Sequence, residues 1–248
     1  MTAPIIAGVV GIAFLSAATQ SLTGFGFALV MVPLLSLFWD VKLAVVTSTL
    51  LSSLSLVPLI VEVRRWIRLS KVVPLAMGSL VGVPLGLLIF TRIDADLLKV
   101  CVASVVIMAS LLLYFAPQFS VGGPPLAGSM VAGMLSGMLR ASTSMGGPPL
   151  VLYMLGRERE VEAFRSTVLT VFLFNSVLTV TGLAIAGEIG GEVLAATGVA
   201  LPALALGLLA GAWLRSRVQQ EVFRTLVLAV LVFTSIGVIV SVSVASLG

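Results

Sequence analysis

Long apolar runs dominate the chain, six of them near residues 43–61, 72–90, 97–116, 166–186, 193–214 and 225–247. Each approaches the ~20 residues that an α-helix needs to cross ~30 Å of hydrocarbon. Two further apolar stretches, 3–38 and 124–155, are interrupted by small polar groups. Drawn out as one helix at ~1.5 Å per residue, the first would reach about 54 Å, far more than a bilayer requires. The pattern therefore predicts that each broken stretch kinks sharply or folds back as a helical hairpin.

The two interruptions follow one plan. In the first, Gln20-Ser21-Leu22-Thr23-Gly24-Phe25-Gly26 divides the segment Ser16 to Leu35. In the second, the stretch Arg140 to Pro149 divides Ser136 to Leu155. A shift of 120 positions sets Gly8 on Gly128, Ser16 on Ser136, Gln20 on Arg140, Thr23 on Thr143 and Gly26 on Gly146. Further along, Gly78 and Gly82 match Gly207 and Gly211, and Arg92-Ile93-x-x-Asp96 parallels Arg217-Val218-x-x-Glu221. The uncharged Gly/Pro-rich stretch from Pro117 to Pro125 divides the halves, 1–118 and 122–248. The expected fold is an all-α integral membrane protein of two homologous halves, each a broken helix or helical hairpin plus three transmembrane helices.

Charge bears on how the halves are oriented. If each broken stretch crosses once, Arg64, Arg65, Arg68 and Lys71 face the outside, against the positive-inside tendency. If each is a hairpin, those four join Arg157, Arg159, Arg165, Arg215, Arg217 and Arg224 on the cytoplasmic side. Lys42, Arg92 and Lys99 then lie outside. Each half also acquires an odd number of crossings, so the halves are inverted. Inverted repeats whose interrupted helices meet at the midplane suit alternating access.

Composition narrows the class. Apolar residues make up 59% of the 248 and charged residues 10%, against about a quarter charged in soluble domains. Mean hydropathy is +1.23. The basic excess is only 14 against 10 and sits in short loops, where it orients the chain rather than binding nucleic acid. With no histidine and a single cysteine, imidazole-based metal sites, histidine catalysis and an intrachain disulfide are excluded. No phosphate-cradling Gly-x-x-x-x-Gly-Lys-Ser/Thr loop occurs, and the breaks hold no acid, base or metal cluster, so no enzyme and no cofactor are expected. No basic residue precedes the first apolar run, so no cleaved signal peptide is expected.

Candidate chemistry gathers at the breaks. Arg140 is the only charge between Ala116 and Arg157. A charge at a helix centre costs at least ~2.5–3.5 kcal/mol on insertion scales, so an intramembrane arginine reads as functional; the competing reading is a snorkelling anchor. Gln20 is its counterpart. Ser142, Thr143 and Ser144 precede Gly146 and Gly147, and Thr23, Gly24 and Gly26 occupy the first break. Free N–H groups, hydroxyls and one guanidinium together make an anion site. Arg165 and Asn175 are further candidates, with an anchor paired to Glu162 and a helix–helix hydrogen bond as their respective alternatives. The Thr47-Ser48-Thr49 and Ser52-Ser53 cluster reads as helix-packing polarity, and Gly78-x-x-x-Gly82-x-x-x-Gly86 as close helix packing.

These motifs resemble a known family. Thr23-Gly24-x-Gly26 followed by Val32-Pro33-Leu34, Gly146-Gly147-Pro148-Pro149, Phe164-Arg165-Ser166-Thr167 and the Gly-x-x-x-Gly segments are together similar to the sulfite exporter TauE/SafE family over nearly the whole chain. The resemblance implies a multi-pass permease of the bacterial cytoplasmic membrane for sulfite, sulfoacetate-like sulfonates or related anions, usually an exporter. Its partners would be a small anion and the lipid bilayer, with no nucleic acid; a homodimer is compatible with it. The chain departs from the family at Gly24-Phe25-Gly26-Phe27, where two phenylalanines narrow the site or favour a substrate with a carbon body. An anion channel and a permease for non-sulfur carboxylates remain as alternatives.

Overall fold

The computed structural model describes residues 3–115, 125–158, 160–215 and 217. The run expected at 225–247 lies outside them, as does most of the divider between the halves. The described residues are helical, with no strand among them: α1 (Ala3–Thr23), α2 (Phe27–Leu35), α3 (Val41–Val63), a 3-10 turn (Arg64–Trp66), α4 (Leu69–Arg92), α5 (Ala95–Phe115), α6 (Pro125–Thr143), α7 (Gly147–Leu155), α8 (Val161–Ile185) and α9 (Gly191–Arg215).

Five helical segments are long and apolar enough to cross a membrane: Ile5–Thr23, Val41–Trp66, Leu69–Arg92, Val161–Ile185 and Gly191–Arg215. Their outward faces are apolar too. On α4, Leu69, Val73, Met77 and Leu80 are exposed at 67%, 49%, 50% and 52%. Such a stripe of large apolar side chains suits hydrocarbon rather than water. The prolines inside α3, α4 and α9 (Pro58, Pro74, Pro84 and Pro202) are of the kind that membrane helices tolerate.

Both broken stretches return along themselves. A Cβ placed on Gly8, early in α1, would lie 2.5 Å from the ring of Phe38, just beyond α2. A Cβ on Gly128, early in α6, would lie 3.0 Å from Tyr153 near the end of α7. A straight or gently kinked helix could not bring those residues together, so the hairpin expectation holds for both stretches. Phe27, Met31 and Leu35 on α2 share a buried cluster with Val9, Ala13 and Ala17 on α1. The i, i+4, i+8 spacing on both helices puts each set on one face.

Two helix pairs form the closest packing in the bundle. On α4, a Cβ at Gly78, Gly82 or Gly86 would fall 1.9, 2.0 or 2.2 Å from the carbonyl oxygen of Met130, Met134 or Met138 on α6. On α9, a Cβ at Gly207 or Gly211 would fall 2.3 or 2.5 Å from the carbonyl oxygen of Phe14 or Ala18 on α1. Contacts advance in step along both members of each pair, so α4 runs with α6 and α1 with α9. These glycines let backbone meet backbone, as in small-x-x-x-small membrane packing. Between the pairs stand α3 and α8, whose hydroxyl-bearing middles face the breaks.

Candidate functional site

The two breaks share three hydrogen bonds at matched positions. Gly24 N–H donates to the Gln20 carbonyl at 2.8 Å, and Ser144 N–H donates to the Arg140 carbonyl at 2.8 Å. Thr23 Oγ1 donates to Thr19 O and Thr143 Oγ1 to Leu139 O, each at 2.8 Å. The same hydroxyls accept from the N–H of Phe25 at 3.1 Å and of Met145 at 3.4 Å. Each helix thus ends on a left-handed residue closed by a bond to the fourth residue back. Gly24 takes φ +83 without strain, whereas Ser144 takes φ +66 despite its Cβ. A non-glycine residue pays roughly 1–2 kcal/mol for that conformation.

The returning helices begin inside the protein. Neither α2 nor α7 has a side-chain cap at its start. The first N–H groups of a helix have no acceptor within it and carry partial positive charge. Prolines 148 and 149 remove two of these donors from α7, so the first turn of α2 offers more free N–H groups than that of α7.

A cavity of about 20 Å³ lies where the breaks meet, lined by Gln20, Phe25, Gly26, Phe27, Ala28, Leu29, Ser52, Arg140, Ser144, Met145, Gly146, Gly147 and Phe172. That is room for about one water. The cavity sits at half depth: Ser52 is the midpoint of α3, and Phe172 is one residue from the midpoint of α8.

Arg140 dominates the cavity's electrostatics. It is 3% exposed. Its Nη2 donates to Ser52 Oγ at 3.1 Å and to Ser176 Oγ, and its guanidinium lies 5.5 Å from the centre of the Phe172 ring. Its Nε has no hydrogen-bond partner among the described residues. None of the ion pairs among the described residues includes Arg140. Across the cavity, Gln20 is 2% exposed and its Oε1 accepts from Ser55 Oγ at 2.6 Å.

The residues expected at the site divide into three groups. Arg140, Gln20, Gly26, Ser144, Gly146 and Gly147 line the cavity together. Thr23, Gly24 and Thr143 frame the turns, and Ser142 Oγ bonds back to Met138 O at 2.9 Å. Arg165 and Asn175 stand elsewhere. Arg165 is 2% exposed and pairs with Glu62 and Glu162, each at 3.5 Å. Its Nη2 also donates to Ser21 O at 3.3 Å, where Arg215 Nη1 converges at 3.4 Å. Arg215 pairs with Glu62 as well. The arginine of α8 and that of α9 thus hold the first break to the end of α3. Asn175 is fully buried on α8, and neither of its side-chain polar atoms has a hydrogen-bond partner among the described residues.

Sequence reasoning read Ser52 as helix-packing polarity and did not single out Ser176 and Phe172. The signal for Ser52 was present: Ser48, Ser52 and Ser55 recur at i, i+4 and i+7 on one face of α3. In the structure that face meets both breaks, because Ser48 Oγ accepts from Ser144 Oγ at 3.4 Å while Ser52 and Ser55 meet Arg140 and Gln20. Nothing comparable marks Ser176 or Phe172.

A family model described as "Sulfite exporter TauE/SafE" matches residues 9–238 of the chain. No curated protein and no solved structure matches it.

Proposed function

The chain belongs to the sulfite exporter TauE/SafE family, and on that premise we propose that it carries a small sulfur-containing anion across the membrane by alternating access, with Arg140 as the group that recognises charge. The family match and the five apolar crossings make it a multi-pass membrane transporter. Sulfite and sulfoacetate-like sulfonates are the substrates this reading favours.

One observation carries the proposal: Arg140 is buried at half depth, and among the described residues its partners are two serine hydroxyls and an aromatic face, with no carboxylate. These neutral partners satisfy some of its N–H donors, no described carboxylate compensates its charge, and an unpaired charge is expensive in a low-dielectric interior. A bound anion would offset that cost. The starts of α2 and α7 would add N–H donors and partial positive charge from both halves. With room for about one water, the cavity fits a nearly closed state of a carrier, which must widen before an oxyanion can enter.

The packing supports two inverted halves. By the sequence repeat, α1 corresponds to α6, α4 to α9 and α3 to α8. Each close pair then joins one half to the other, since α1 packs on α9 and α6 on α4. Ser166 at the start of α8 donates to Trp66 O beyond the end of α3 at 2.9 Å, so these equivalent helices run in opposite directions. The two ends of the bundle are sealed differently. The Glu62–Arg165–Arg215 network holds one, and Trp39 Nε1 donating to Glu192 Oε1 at 3.3 Å ties the other. Loosening these in turn would expose the site to either side. The arginine-rich end would be cytoplasmic in the inner membrane of a bacterium, and export is the direction the family description favours.

Counterflow in proteoliposomes tests this reading. Vesicles loaded in turn with sulfite, sulfoacetate, taurine and a non-sulfur carboxylate are expected to show saturable exchange of a sulfur anion, lost in Arg140→Ala. Exchange surviving Arg140→Ala would return Arg140 to a structural role. Exchange confined to the carboxylate would displace the sulfur-anion assignment, and non-saturating flux without counterflow would indicate a channel.

A further inference from the structure

Where α4 begins and α7 ends, a second cavity of about 470 Å³ opens between α4, α6 and α7. It shares no lining residue with the cavity between the breaks, so the two cavities are distinct. Its lining has two characters. Lys71 and Arg157 contribute positive charge, and the hydroxyls of Ser129 and Tyr153, 2.6 Å apart, lie in its wall. Pro74 and Leu126 make up part of the apolar remainder.

Position and charge together suggest what fits. Lys71 is the third residue of α4 and Arg157 the second beyond α7, which sets the cationic part at the bundle's end. Arg157 lies 4.8 Å from the centre of the Tyr153 ring, which keeps its guanidinium at the cavity wall. Arg64, Arg65 and Arg68 are exposed on the adjoining turn. Glu158 and Glu160 pair with Lys71 and Arg68, and the exposed Arg64 and Arg65 keep this end of the bundle cationic among the described residues. The apolar part leads outward instead: Leu126 is 60% exposed, and the neighbouring α4 face carries exposed Leu69 and Val73. A cationic pocket at the membrane boundary that continues into lipid-facing surface matches a molecule with an anionic head and apolar tails. A free anion would use the first part and leave the second idle, and a zwitterionic lipid would bring an ammonium against these cations.

We propose that this cavity binds an anionic phospholipid, its phosphate held between Lys71 and Arg157 and its acyl chains leaving past Leu126 and Pro74. Such a lipid bridges α4 and α6 to the end of α7, and so braces the second hairpin against the tightly packed α4–α6 pair.

The test uses the full chain in detergent, with thermal unfolding followed through its single thiol, Cys101. Phosphatidylglycerol is expected to raise Tm saturably by several degrees, and phosphatidylcholine is not. Arg157→Gln should raise the half-saturating phosphatidylglycerol concentration about five-fold, the scale of one basic residue at a membrane surface. Lys99→Gln, a basic residue at the far end of the bundle, should leave it unchanged. Equal stabilisation by both lipids, equal shifts in the two variants, or the full effect from inorganic phosphate alone would overturn the proposal. Should Arg157→Gln fail to fold, native mass spectrometry of the wild-type chain from a mixture of both lipids decides the matter. Retained phosphatidylglycerol adducts in excess support the site, and equal retention rejects it.

Discussion

The first break and the second share a frame but not a chemistry. In both, a left-handed residue ends the incoming helix, a threonine hydroxyl locks the turn, and the returning helix starts uncapped beside the same cavity. Within that frame, Gln20 is neutral and hydrogen-bonded to Ser55, whereas Arg140 is charged and has no carboxylate among its described partners. The proline pair thins the donors at the start of α7, and the glycine-flanked start of α2 keeps them. The difference teaches that two turns of one frame can present side chains of different chemistry: Arg140 brings a charge to the cavity, and Gln20 a neutral amide. On the proposed function, the second break would supply charge and the first neutral donors.

The sharpest way to break the comparison is to erase it. Arg140→Gln makes the second break resemble the first, and anion counterflow is expected to fall about 100-fold or more, the scale of losing one partner of a desolvated charge contact. Adding Gln20→Arg to that variant should restore part of the flux if the breaks are equivalent platforms. No recovery would mean that Ser52, Ser176 and Phe172 are specific to one side.

Helix packing offers a second test, since each hairpin leans on a glycine-lined partner. Gly82→Val should destabilise the protein by about 3 kcal/mol, because its Cβ would meet the carbonyl of Met134 and neither helix can yield cheaply. Gly211→Val on the α1–α9 side should act in the same direction, read as a fall in Tm. If one of the two is silent, the pairings are not equivalent supports.

A smaller effect is expected at the left-handed positions. Gly24→Ser should cost about 1–2 kcal/mol, since it imposes on the first break the strain that Ser144 already bears. Its Cβ would also touch the Arg165 side chain at 3.4 Å. Ser144→Gly should raise Tm slightly, unless the weak hydroxyl bond to Ser48 matters more than the backbone strain.

The smallest difference lies in the loops that follow the hairpins. Asp40 caps α3 through the N–H groups of Lys42 and Leu43, at 2.9 and 3.1 Å. Its counterpart Glu160 makes no such cap on α8; there Glu158 binds Lys71 and Arg68 instead. The hydrogen bond from Lys71 is the main cause holding the Glu158 carboxyl below its ordinary value of 4.5. A depressed pKa contributes stability above the unfolded value and loses it as pH falls through the folded one. Glu158→Gln should therefore lower Tm at neutral pH, and the gap from wild type should close as pH drops below 4.5. A gap that persists in acid would assign the effect to packing.

Much of this protein was legible before any coordinates. The apolar runs announced helices that cross a membrane, because spanning length and hydropathy are properties of contiguous residues. The breaks were visible for the same reason: Thr23-Gly24 and Thr143-Ser144 close their turns through bonds reaching no more than four residues, so the ends of α1 and α6 follow from local sequence. The glycines of α4 and α9 announced close packing, although not their partners.

What the sequence did not contain was the company that Arg140 keeps. Ser52 lies 88 residues before it and Ser176 lies 36 after it, and no local rule joins them. Their meeting depends on the register in which α3 and α8 pack against the breaks. Arg165 shows the converse. Its motif placed it among the candidate binding residues, and packing set it behind the first break, against Glu62, Glu162 and the Ser21 carbonyl, where it does not line the cavity. For the described residues, the sequence by itself determined which are helical and where the helices break, and it marked the chain as a multi-pass membrane protein, since those follow from hydropathy and short-range hydrogen bonds. Only the tertiary structure decided which polar side chains share one cavity, because that depends on how helices distant in the chain are rotated and slid against one another.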